Sequence, residues 1–127
     1  MNRFILFILL LTVNFTICNS QQTCYNPTAI TISNTTSSGS DVSWSAGGTE
    51  TAWDIEYGPS GFSLGSGTTA AVTINSYNLV GLNSATSYDV YVRADCGSGS
   101  LSNWEGPYNF LTLQYHLTLI FFLSNLL

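Results

Sequence analysis

The chain is written in short runs whose side chains alternate between apolar and polar, broken by turn residues about every ten positions. "AWDIEYG" alternates most cleanly. Trp53, Ile55 and Tyr57 point one way and Asp54 and Glu56 the other, which is the two-residue period of a strand with one buried face. "SYDVYVRAD" repeats the pattern, with Tyr88, Val90, Val92 and Ala94 inward and Asp89, Tyr91, Arg93 and Asp95 outward. "VSWSA" sets Val42 and Trp44 on one face before Gly47-Gly48 interrupts it, and "AITIS", "AAVTI" and "YNLVGL" predict weaker strands. "FSLGSG" (62–67) reads as a short edge strand ended by glycine. "WEGPYNFLT" closes the series, and Pro107, having no N–H for a ladder, assigns it to a sheet edge. No segment carries a helical period. Seven or eight strands between residues 21 and 112 predict an all-β domain, a two-sheet sandwich.

The ends follow other rules. Arg3 is the only charge in the first twenty residues, an apolar run from Phe4 to Ile17 follows, and Cys18 and Ser20 stand three and one positions before a cut at Gln21. That is the pattern of a secretory signal over residues 1–20. The apolar run is about 14 residues, short of the roughly 20 that span a bilayer, so cleavage is favoured over an uncut membrane helix. A lipoprotein reading at Cys18 is poorer, because Ile17 occupies a site where a small residue is expected. Residues 113–127 form an uncharged, mostly apolar tail, too short from Leu117 onward to cross as a helix. A stray strand, a weak membrane contact and an accidental extension of a truncated reading frame are its three readings, with the last preferred. No firm membrane span is expected once the signal is removed.

Charge narrows the function classes. Removal of the signal leaves Arg93 alone against seven carboxylates, a formal charge of −6, and the chain has no lysine. Phosphate binding relies on Lys and Arg, so nucleic acid is not an expected partner, and neither is an anionic membrane surface. The same cut removes Cys18 and leaves Cys24 and Cys96, an even pair that in an exported chain is most simply a disulfide. Closing so long a loop is worth roughly 4 kcal/mol by loop entropy. Two free thiols and a metal site are the other readings. Two cysteines without a histidine inside the domain cannot complete a zinc shell.

The catalytic inventory is thin. The single histidine, His116, lies in the tail, so a Ser–His–Asp arrangement is not expected, and the absence of lysine removes Schiff-base chemistry. Asp54 and Glu56 put two carboxylates on one strand face with Cα atoms about 7 Å apart, within the loose range of glycosidase pairs, but an open sandwich face reads as solvated surface. Oxygen ligands for calcium exist without an Asp/Asn/Gly calcium loop. No catalytic residue, metal ligand or cofactor is assigned. Tyr91 and Trp104, with Phe62 on the edge, are the candidate ligand contacts, as stacking platforms for a sugar. Burial of Trp104 against the mouth of the sandwich is the heavier reading. Asn34-Thr35-Thr36 is a glycosylation sequon, of no consequence in a bacterial host.

"DVSWSA", "WDIEYG" and above all "LVGLNSATSYDVYVRADC" resemble a fibronectin type III domain, over residues 23–112. The resemblance implies an immunoglobulin-like sandwich with Trp44 on strand B as the core tryptophan and Ile55 and Tyr57 on strand C. It implies that Leu82 leads into the E–F corner, that the Tyr88 hydroxyl bonds back to upstream backbone, and that Val90 and Val92 complete the core. Strands C and F are neighbours in this family, so Asp54, Glu56, Asp89, Tyr91, Arg93 and Asp95 should share one face. Cys24 and Cys96 should share a pole. "GPSGFSLGSGTT" and "YVRADCG" are most similar to domains of secreted and surface-attached bacterial proteins, where the module sits in longer chains; this chain departs from that pattern by ending after one domain. The expected role is a secreted or cell-surface, non-catalytic interaction or spacer module, acting in adhesion or protein binding. Its partner would be an unknown protein or glycan. A carbohydrate-binding accessory domain is the alternative, and an enzyme fragment a distant third.

Overall fold

The computed structural model describes residues 23–115. The signal segment, and all of the tail beyond its first three residues, lie outside them. Seven strands follow in order: β1 (Thr28–Ser33), β2 (Gly39–Ser45), β3 (Trp53–Pro59), β4 (Thr68–Val72), β5 (Ser76–Val80), β6 (Ser87–Ala94) and β7 (Glu105–Leu111). They form a three-stranded sheet, β1-β2-β5, and a four-stranded sheet, β4-β3-β6-β7, with every pairing antiparallel. β7 is an edge strand, as Pro107 requires. Ala29 takes a left-handed conformation (φ 51°) where the β1–β2 register shifts, the mark of a bulge.

The segment 62–67, expected as an edge strand, is instead a loop of successive turns between β3 and β4. Its apparent alternation places Phe62 back over the sheet, and the next strand begins at Thr68.

The sheets enclose one core. Val42 and Trp44 come from β2, Leu79 from β5, Ile55 and Tyr57 from β3, Tyr88, Val90 and Val92 from β6, and Phe110 from β7. Trp44 packs edge-on against Trp53 with ring centroids 6.0 Å apart. Among the described residues neither indole N–H has an acceptor, a desolvation cost set against the large apolar area that two tryptophans bury. Leu82 is buried just past β5. From β6 the Tyr88 hydroxyl accepts the Asn83 N–H at 3.0 Å, which pins the corner between β5 and β6.

Candidate interaction surface

β3 and β6 run side by side through the centre of the four-stranded sheet, so their register fixes which outward side chains meet. Asp54 stands opposite Arg93, and Glu56 opposite Tyr91. Arg93 Nε donates to Asp54 Oδ2 at 2.9 Å, and Nη2 completes the ion pair 2.8 Å from the same oxygen. The guanidinium lies 4.4 Å from the centroid of the Trp104 ring. Both charged side chains remain about a quarter exposed (27% and 23%), so the ion pair contributes at most about 1 kcal/mol. On β4 the partners of Glu56 and Asp54 are Thr69 and Ala71. Small side chains there leave a shallow hollow of about 260 Å³ bounded by Asp54, Thr69, Ala71, Arg93 and Trp104. Trp104 thus lies half-buried on the sheet face beneath Arg93 rather than at the mouth of the sandwich. The Tyr91 and Phe62 rings pack edge-to-face with centroids 5.6 Å apart, so each candidate platform already has an intramolecular partner.

The face is less solvated than its alternation suggests. Glu56 is 2% exposed and Asp89 6%. The loop after β3 folds over both. Glu56 Oε1 accepts the N–H groups of Gly65 and Gly67 at 2.7 and 2.8 Å, with Phe62 and Gly67 packed together beside it. Asp89 accepts from the Gly61 N–H at 2.7 Å, the Asn109 amide at 2.8 Å and the Ser60 hydroxyl. The Asn109 and Gly61 donors hold its carboxyl below the ordinary aspartate value against the opposing effect of burial. The expectation that Glu56 and Asp89 belong to open surface is therefore corrected. A period of two assigns side chains to faces, but not to what a loop then lays over a face.

The remaining carboxylates are also engaged. Burial raises the Glu50 carboxyl, but N–H bonds from Tyr25, Glu50 itself and Gly48 outweigh it and leave the group below its ordinary value. Asp41 takes the amides of Asn34 and Asn78, which lower it. Asp95 caps the Gly97 N–H and Glu105 accepts from Asn26. All seven carboxylates of the chain thus tie loops, strands or the arginine into the fold. Among the described residues, no group of three or more His, Cys, Asp or Glu gathers to hold a metal ion.

Cys24 and Cys96 are joined by a disulfide with Cα atoms 5.8 Å apart. Trp44, Ile55, Tyr57, Leu82, Tyr88, Val90 and Val92 are each at most 9% exposed. Sequence reasoning passed over Ile30, Leu79 and Phe110, which belong to the same core. Phe110 alternates with Tyr108 within "PYNFL", a signal the Gly-Pro ahead of it obscures. Glu50 carried no sequence signal at all, because its donors are backbone groups 25 and two residues away.

The family model described as "Fibronectin type III domain" matches residues 25–110. No curated protein matches the chain. Among solved structures, the chicken CNTN1 FN1-FN3 domains are similar at 21% identity and a TM-score of 0.63, over 69% of this chain and 30% of that one. The chain therefore spans under a third of that structure. A structure titled "Myokine structure" matches at 21% identity and a TM-score of 0.62, covering 72% of this chain and all of the other. The fn3 domain of the human collagen alpha-1(XX) chain matches at 21% and 0.62, covering 74% and 90%. At such identities the likeness is one of fold.

Proposed function

From the premise that the chain belongs to the fibronectin type III family, a fold commonly used as a non-catalytic module, we propose that it acts as a secreted or cell-surface interaction or spacer module. The observation that carries this reading is the use of its carboxylates. A general acid or base must be free to approach a substrate proton. Here Glu56 and Asp89 lie under a loop, with Glu56 Oε1 accepting from Gly65 and Gly67 and Asp89 accepting from Gly61, Ser60 and Asn109, and Asp54 is committed to Arg93. A protein partner would meet the Asp54–Arg93–Trp104 face, where an aromatic and an arginine of the kinds enriched at binding hot spots stand together. The carbohydrate-binding alternative draws on the same Trp104 and on Tyr91. It is weakened by the partners those rings already have.

The test uses the full chain. Secreted material is expected to begin at Gln21, whereas recovery of the intact chain, anchored by residues 4–17, would mean a signal anchor instead. Arrays of cell-surface proteins and of glycans then separate the readings. Protein binding lost in Arg93→Ala and Trp104→Ala, with melting behaviour retained, supports the proposal. Glycan binding lost in Trp104→Ala or Tyr91→Ala favours the alternative. Hydrolysis of any glycan or peptide, abolished in a folded Glu56→Gln variant, would overturn the non-catalytic reading.

A further inference from the structure

Asn34-Thr35-Thr36 is the one Asn-X-Ser/Thr triplet with X other than proline among the described residues, Asn26-Pro27-Thr28 being barred by its proline. The fold presents it well. Asn34 follows β1 directly, is exposed, and takes a left-handed conformation at φ 49°, which asparagine tolerates better than most residues. Its Nδ2 donates to Asp41 Oδ2 at 2.8 Å across the β1–β2 turn. Asn34 and Asp41 both line an open hollow of about 250 Å³, with Thr36, Gly39, Asn78 and Val80 around it. A group attached to Nδ2 therefore meets open space beside polar and apolar side chains, not packed backbone.

We propose that Asn34 is an N-glycosylation site. The proposal rests on the export reading, since only a chain carried into a glycosylating lumen meets the enzyme and its donor, a lipid-pyrophosphate-linked oligosaccharide. In the transfer Asn34 Nδ2 attacks the anomeric carbon of the first sugar. The N–C bond forms and the bond from that carbon to the pyrophosphate oxygen breaks. The lipid pyrophosphate leaves with the bonding electron pair, and one amide proton passes to solvent through the enzyme's base. No oxidant or reductant is needed. The modified nitrogen keeps one N–H, so it remains a donor beside Asp41. The side-chain bond of the sequon threonine, Thr36 Oγ1 to Gly39 O at 3.2 Å, belongs to the folded turn and does not restrain a chain modified as it enters the lumen.

The experiment expresses the full chain, with Asn14→Gln removing the other triplet, in eukaryotic secretory cells. The expected result is a glycan mass on the Asn34 peptide, released by peptide N-glycosidase. It is retained in Thr36→Ser and lost in Thr36→Ala and Asn34→Gln. A turn role alone would not separate the two Thr36 variants in this way. Secreted chain without a glycan overturns the site and leaves export standing. Chain retained in the cytosol overturns the export reading, and the glycosylation with it.

Discussion

Asp89 shows how one residue type changes role when its surroundings change. Alternating with the inward-facing Tyr88 and Val90, it reads in sequence as surface. In the fold it accepts from Gly61, Asn109 and Ser60 and has no cation among these partners. Asp89→Ala leaves the Gly61 N–H and the Asn109 amide without their acceptor and is expected to cost about 2 kcal/mol, read as a lower urea midpoint. The pH dependence follows from the same contacts. Asp89 and Glu50 both have carboxyls lowered in the folded state, so the unfolded chain binds protons first as the solution is acidified. Their stabilising effect is complete well above the ordinary carboxylate range, around pH 4, and is lost as the pH falls through their lowered folded-state values. Urea midpoints recorded between pH 7 and 2 should therefore hold steady near neutrality and drop at the acid end. The drop should be shallower in Asp89→Asn. An equal slope in that variant would remove Asp89 from the account. Tyr88→Phe, which deletes the acceptor of the Asn83 N–H, is expected to cost about 1 kcal/mol without altering the strands.

At the scale of elements, β2 and β6 were legible because one face of each is buried and the other, Asp89 of β6 excepted, is not, which is what a two-residue period encodes. β3 departs from that rule. It is buried on both faces from Ile55 to Gly58, because the loop of residues 60–67 covers its outer side. The sequence of that loop mimics a strand at "FSL" and conceals its real role. Gly65, at φ 91°, and Gly67 turn their N–H groups onto Glu56, contacts made through backbone and so without a side-chain pattern. The Arg93–Trp104 contact was hidden for a similar reason, since Trp104 sits in irregular chain before β7. Gly67→Ala tests the loop. A Cβ there would stand 2.7 Å from the Tyr57 carbonyl oxygen and 2.5 Å from Phe62 Cε2. Phe62 has room to yield, but Tyr57 belongs to a strand paired on both sides. The variant should lose about 1–3 kcal/mol, by the cost of overpacking, with faster amide exchange at Gly65 and residue 67. An unchanged melting temperature would mean that the loop is not held against Glu56.

At the scale of the molecule, the two sheets are tied together at opposite ends by different means. At one pole the disulfide joins Cys24, just ahead of β1, to Cys96, just past β6, so it links the chain entering one sheet to the chain leaving the other. At the other, Leu113 donates its N–H to Thr36 and accepts from Ala85, bridging the β1–β2 turn and the corner before β6. Between the ties lies a core centred on Trp44, whose loss in Trp44→Ala should cost about 3–5 kcal/mol, enough to threaten the fold. The disulfide acts differently. It closes a loop of 72 residues, and most of its effect falls on the unfolded chain, which reduction sets free. Non-reducing peptide mapping should find one Cys24–Cys96 linkage and no free thiol on either residue. The Cys24→Ser, Cys96→Ser double variant should keep its β-sheet circular dichroism at 25 °C while its stability falls by up to about 4 kcal/mol. Its urea m-value should rise, because an uncrosslinked chain exposes more surface when it unfolds. A fall in stability with an unchanged m-value would instead place the effect in the folded pole, where Cys24 packs against the edge of the core. The two outcomes separate a restraint on the unfolded chain from a contact within the folded one.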